Sequence, residues 1–157
     1  MGTPSQRRIA RQGDGGWLAG GVAVVHGAGE TGPVARRWKG QINENAEAPA
    51  FWSELPEANH NELCSWDRAK QGGLAGVFLD SPGLTTALRR RLALTEDALA
   101  EAGIPSRRVV AEGDSPLERV LSLVLLGDLV SMYLAVLSGV DPTPVEPIER
   151  FKAALAG

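Results

Sequence analysis

A chain of 157 residues, 43% hydrophobic and 22% charged, is long enough for one domain with a real core and too apolar to be disordered. Its formal net charge of -3 argues against nucleic acid or an anionic membrane as the main partner, because both need a basic surface. The single cysteine, Cys64, has no intrachain disulfide partner, which fits a reducing cytoplasm.

Residues 1–19 carry Gly13, Gly15 and Gly16 and no periodicity, so they are expected to form a flexible arm ahead of a domain over 20–157. Arg7, Arg8 and Arg11 precede no apolar run, so the segment does not read as a signal peptide. Gly21 to Val25 is an apolar, β-branched run ending in His26-Gly27-Ala28-Gly29, the pattern of a buried strand entering a glycine loop. Pro33 opens a helix on which Val34, Trp38 and Ile42 recur at helical spacing and which ends near Glu44.

A second strand is expected at Leu63 to Trp66, a loop at 67–73 and a third strand at Leu74 to Leu79. Leu84 to Ala102 reads as an amphipathic helix with Leu84, Leu88, Leu92 and Leu99 on one side, ended by Gly103 and Pro105. Arg107 to Ala111 is a fourth strand. Ser115-Pro116-Leu117-Glu118 is a capping box with proline at the first helical position, and the helix it starts runs to Ser138.

That helix is apolar on nearly all sides and could be mistaken for a membrane span. Asp128 near its middle would cost roughly 2.5–3.5 kcal/mol in a bilayer. It reads instead as a buried helix whose surplus apolar surface faces another domain or subunit, with Asp128 a hydrogen-bonded group at that interface. Val145 to Ala156 is a last helix. Alternating strands and helices predict an α/β class with a mainly parallel sheet of four to five strands, covered on both faces.

Chemistry-bearing residues concentrate between Gln41 and Glu62. Glu44 lies between Asn43 and Asn45, and His60 between Asn59 and Asn61, with Glu57 and Glu62 nearby. The apolar Pro49, Ala50, Phe51 and Trp52 separate the clusters, and apolar walls with a few polar groups are what ligand sites look like. Glu44 reads as a proton-transfer base or, more commonly for such a position, as a solvated residue in a last helical turn. His60 reads as an acid/base group oriented by its neighbours or as a surface histidine. His60, Glu62 and Cys64 would share a face if they lay on a strand, but too few further His or Cys follow to complete a zinc set. Gly27 to Gly32 resembles a dinucleotide fingerprint only in being glycine-rich, its third glycine being read as one residue early. Glu30 would repel a phosphate there, so close strand-to-helix packing is the better reason for the glycines.

Gln41-Ile42-Asn43-Glu44-Asn45-Ala46 and Pro56-Glu57-Ala58-Asn59-His60-Asn61-Glu62 together resemble the C-terminal half of the bifunctional phosphoglucose/phosphomannose isomerases of archaea and bacteria. Those enzymes are built from two SIS (sugar isomerase) domains. Gly127 to Ala135 and Val140 to Ile148 resemble the same family's C-terminus.

The resemblance implies an SIS-type αβα sandwich and a metal-independent aldose–ketose isomerase of hexose 6-phosphates, without a cofactor. By carry-over, Glu44 would move a proton between C1 and C2 through an enediol. His60, which family members supply across a dimer interface, would open the sugar ring. Lys152 would assist at an oxygen, with Arg150 its competitor on that helix. Asn43, Asn59 and Thr143 would contact substrate, with Val145 near the pocket. A sugar phosphate and a homodimer, or a chain supplying the N-terminal SIS domain, are the implied partners. Family enzymes carry the Ser/Thr phosphate loops on that N-terminal domain, so weak or no turnover is expected of this chain alone.

Overall fold

The computed structural model describes residues 17–143 and 146–157. The expectations placed on residues 1–16 and on Val145 lie outside these. Four parallel strands form one sheet in the order β2-β1-β3-β4. They are β1 (Val22–Ala28), β2 (Ala50–Leu55), β3 (Leu74–Asp80) and β4 (Ser106–Val110). Ala23 pairs with Ala50 and Ala28 with Leu55, while Val22 pairs with Leu74 and Asp80 with Val110. The helices are α1 (Gly32–Asn45), α2 (Ala58–Asn61), α3 (Thr86–Glu101), α4 (Pro116–Ser138) and α5 (Glu146–Ala156).

The central strands β1 and β3 are buried on both faces, as a sandwiched parallel sheet requires. One face packs Ala23, Val25, Val77 and Leu79 against Val34, Trp38 and Ile42 of α1 and Leu123, Leu134 and Ala135 of α4. The other packs Val24, Leu55 and Phe78 against Trp66 and against Leu92 and Leu99 of α3. The helix boundaries follow their caps. Ser115 Oγ accepts from the Glu118 N–H at 3.2 Å, and Glu118 Oε2 accepts from the Ser115 N–H at 2.8 Å. Gly139 ends α4 with φ 70°, a left-handed conformation that costs glycine least.

The tertiary structure corrects three expectations. Leu63 to Trp66 is not a strand: it is a turn leading into a 3-10 segment at Trp66–Gln71. The second strand is Ala50–Leu55, the stretch read as an apolar wall. Its Phe51 (59% exposed) and Trp52 (36%) are open because β2 is an edge strand. At the N-terminal end, Leu18 is buried in the core and Trp17 packs against it, so ordered packing starts within the stretch assigned to the arm.

The third correction concerns α4. It is buried in this chain along one stripe only: Leu123, Gly127, Ser131, Leu134 and Ala135. That stripe is held by α1. Trp38 Nε1 donates to the Leu123 carbonyl at 2.7 Å, and Asn45 donates to Ser131 Oγ at 2.8 Å. A Cβ on Gly127 would meet the Trp38 indole at 2.2 Å, so the contact requires glycine. Length and composition alone would let α4 cross a membrane.

Candidate functional site

The carboxyl edge of the sheet carries the glycine loop. Gly27, Gly29 and Gly32 do have dinucleotide-fingerprint spacing, but the loop is drawn tight for packing. A Cβ at Gly27 would lie 2.6 Å from the Thr31 carbonyl oxygen, and one at Gly32 would lie 2.7 Å from Glu54 Oε1. Thr31 Oγ1 donates to the Leu79 carbonyl at 2.9 Å, tying the loop to β3. Glu30 accepts from Arg119 Nε at 3.0 Å and from the Ser81 hydroxyl. Those hydrogen bonds, the one from Arg119 foremost, hold the Glu30 carboxyl below the usual carboxylate range. The Glu30 carboxylate thus occupies two side-chain donors at this edge, Ser81 and Arg119. Arg119 was missed in the sequence because it follows a capping box and reads as ordinary helix surface.

His60 also lies at this edge. β2 ends at Leu55, a cis peptide joins Leu55 to Pro56, and α2 follows at once. Ala58 is the buried residue of that turn, and His60 is exposed. The Asn59 amide nitrogen donates to Thr95 Oγ1 at 2.7 Å. Its Oδ1 accepts from Arg91 at 3.4 Å. Glu62 accepts from the Ser53 hydroxyl on β2, a link that no sequence spacing announces. Residues 58–61 form a helical turn, so the alternation on a strand that suggested a metal set from His60, Glu62 and Cys64 does not exist.

Glu44 is at the opposite edge. α1 leaves the carboxyl end of β1 and runs back along the sheet, so Asn43 and Glu44 arrive where β2 begins. Fourteen residues at about 1.5 Å each make that journey roughly 20 Å. Glu44 and His60 of one chain therefore do not meet. Glu44 is exposed in the last turn of α1, while Asn43 donates to the Ala48 carbonyl at 2.8 Å and so shapes the turn into β2.

The Ser138 end of α4 reaches this same amino edge, its Ser131 bonded to Asn45. Thr143 follows that end and bonds through its N–H to Asp141 Oδ1 at 3.0 Å. Lys152 and Arg150 both lie exposed on α5, which buries none of its residues. α5 carries Ile148, Phe151 and Leu155 exposed at helical spacing.

The chain is a parallel αβα sandwich of the SIS type, and it exposes Glu44 and His60 at opposite edges of its sheet. Among solved structures, a glucose-6-phosphate isomerase-like protein from Thermus thermophilus shares the fold at TM-score 0.67 and 22% identity, over 87% of this chain and 44% of that one. Residues 15–155 match the family described as the bacterial phospho-glucose isomerase C-terminal SIS domain, and the chain belongs to that family. The bifunctional phosphoglucose/phosphomannose isomerase of Aquifex aeolicus is 38% identical over 139 residues, 88% of this chain and 43% of that protein. That of Caldicellulosiruptor bescii is 37% identical over 86% of this chain and 41% of its own length. The chain thus spans less than half the length of the curated relatives it matches.

Proposed function

We propose that this chain is the proton-transferring half of a hexose 6-phosphate aldose–ketose isomerase, acting on glucose 6-phosphate or mannose 6-phosphate to give fructose 6-phosphate. Glu44 takes the C2 proton of the open aldose and returns it to C1 of a cis-enediol. His60 opens the ring by moving a proton between the ring oxygen and the anomeric hydroxyl. Lys152 stabilises charge on an oxygen of the enediol, and Asn43, Asn59 and Thr143 line the pocket. A mobile α-proton needs a positioned carboxylate, and ring opening needs a second acid/base group.

The observation that carries this reading is the separation of Glu44 and His60 at opposite edges, each exposed. A site that uses both is then assembled between chains, Glu44 from one copy and His60 from its partner. The open apolar side of α4 supports such an assembly. The use of Arg119 and Ser81 by the Glu30 carboxylate at the carboxyl edge supports a phosphate clamp contributed by another domain. Cytoplasmic sugar-phosphate metabolism is the setting that follows.

The test is fructose 6-phosphate turnover on the purified chain alone and with an added N-terminal SIS domain from a related enzyme. Turnover only in the mixture, lost in Glu44→Gln with ligand binding intact, is the expected result. Turnover unchanged by Glu44→Gln would overturn the assignment. A stable dimer that binds no sugar phosphate in any mixture would make the chain a dimerisation module instead.

A further inference from the structure

The buried stripe of α3 runs Leu92, Thr95, Leu99. An apolar side chain would fill the middle position. Thr95 stands there instead, 2% exposed, with a branched side chain that suits a helix poorly and a hydroxyl that is costly to bury unpaired. The hydroxyl finds two partners. It donates to the Arg91 carbonyl, one turn back, at 2.8 Å. It accepts from the Asn59 amide nitrogen at 2.7 Å. The first bond is open to any helical threonine. The second reaches 36 residues along the chain, to the turn that carries His60.

The directions of these bonds are fixed. The single hydroxyl hydrogen goes to Arg91, so Thr95 Oγ1 can only accept from Asn59, and the Asn59 nitrogen faces it. Asn59 Oδ1 is then turned toward Arg91 Nη1, from which it accepts at 3.4 Å. The turn itself, Ala58–Asn61, has four residues, too few to hold a helix by its own backbone bonds. Ala58 packs it into the same core cluster as Leu92 and Leu99, and Ser53 of β2 donates to Glu62 just past its end. The Asn59–Thr95 bond is the fixed point between these two, directly before His60.

We propose that Thr95 is a positioning residue for His60: it clamps Asn59 to α3 and so fixes the stretch of backbone from which the exposed His60 projects. The importance of the clamp for catalysis rests on the reading of His60 as the ring-opening group. The clamp itself can be measured without any activity.

The experiment is amide hydrogen exchange on the whole chain, comparing wild type with Thr95→Val and Thr95→Ser. Val keeps the branched shape and loses the hydroxyl, which leaves the Asn59 amide without its acceptor. Ser keeps the hydroxyl. The expected result for Thr95→Val is exchange about tenfold faster at the amides that close the turn, those of Asn59, His60 and Glu62, with β3 and α1 unchanged. Thr95→Ser retains the wild-type protection there. Unchanged exchange at the turn in Thr95→Val would overturn the clamp. So would an equal rise throughout α3 and β3, or a loss in Thr95→Ser as large as in Thr95→Val, since either would mark Thr95 as core packing alone. Should Thr95→Val not fold, Thr95→Ala, with the best helix former in its place, decides by the same criteria. In a reconstituted active enzyme Thr95→Val lowers kcat about tenfold with KM unchanged, and Thr95→Ser recovers it. Equal kcat in all three forms would overturn the positioning role. Absence of isomerase activity in any mixture would overturn the reading of His60 and leave the exchange result standing, so the two readings fail separately.

Discussion

Helices α3 and α4 lie on opposite faces of one sheet and present opposite outer sides. α3 buries Leu92, Thr95 and Leu99 and turns Arg89, Arg90, Arg91, Asp97 and Glu101 outward. α4 buries its own stripe and turns out Leu117, Leu121, Leu125, Leu129, Tyr133 and Val136, each 47–72% exposed. Its few charges are used locally. Arg119 holds Glu30, and Asp128 pairs with Arg37 at 2.9 Å. The sheet therefore accounts for α3 apart from the exposed Leu94, and for α4 only in part. The uncovered side of α4 is an apolar face open to solvent, and covering it would be worth about 1.5–3 kcal/mol for each Leu or Val fully buried.

That contrast can be broken most decisively at its outer side. Leu125→Glu combined with Val136→Glu is expected to leave the circular dichroism of the domain unchanged and to weaken association at least about a hundredfold. Sedimentation at micromolar concentration checks this, and equal masses for variant and wild type would refute it. The inner side of α4 comes next. Trp38→Ala removes a nearly fully buried indole together with its bond to Leu123, and is expected to cost about 4 kcal/mol in urea unfolding.

The α3 side of the sheet has its own pH signature through His26. Its folded pKa lies below the unfolded value, so below about pH 6.5 the unfolded chain binds the proton first and stability falls with acid. Between pH 7 and 5 the loss is about 2 kcal/mol, and His26→Phe should remove this pH dependence. The smallest effects lie at the helix starts. Ser115→Ala dismantles the two-way cap of α4 and is expected to cost about 1 kcal/mol. Thr85→Ala, which loses a single longer bond of 3.3 Å to the Leu88 N–H of α3, should cost less. Thermal unfolding of the two variants ranks them.

Most of the fold could be read from local pattern. Alternation of strand and helix, the Ser115–Glu118 box and the Leu84 to Leu99 periodicity depend on neighbours in sequence, and the structure has all of them. The second strand could not be read this way. Ala50–Leu55 is an edge strand with aromatic residues on its open positions, so the signal of inward burial that marks a strand is weak. The Asn-His-Asn turn was legible as a chemical cluster, but its distance from Glu44 depends on which way α1 runs over the sheet.

The sequence by itself determined the α/β class, the helix limits and the two residue blocks that resemble the isomerase family, because caps, periodicity and motifs are set by residues a few positions apart. Tertiary structure alone decided that Glu44 and His60 lie at opposite edges. It also decided that the Glu30 carboxylate is held by Ser81 and Arg119, and that His26 is buried against Trp66 and Phe78. Those outcomes join residues far apart along the chain. They follow from strand order and crossover direction, and the packing of the whole sheet selects both.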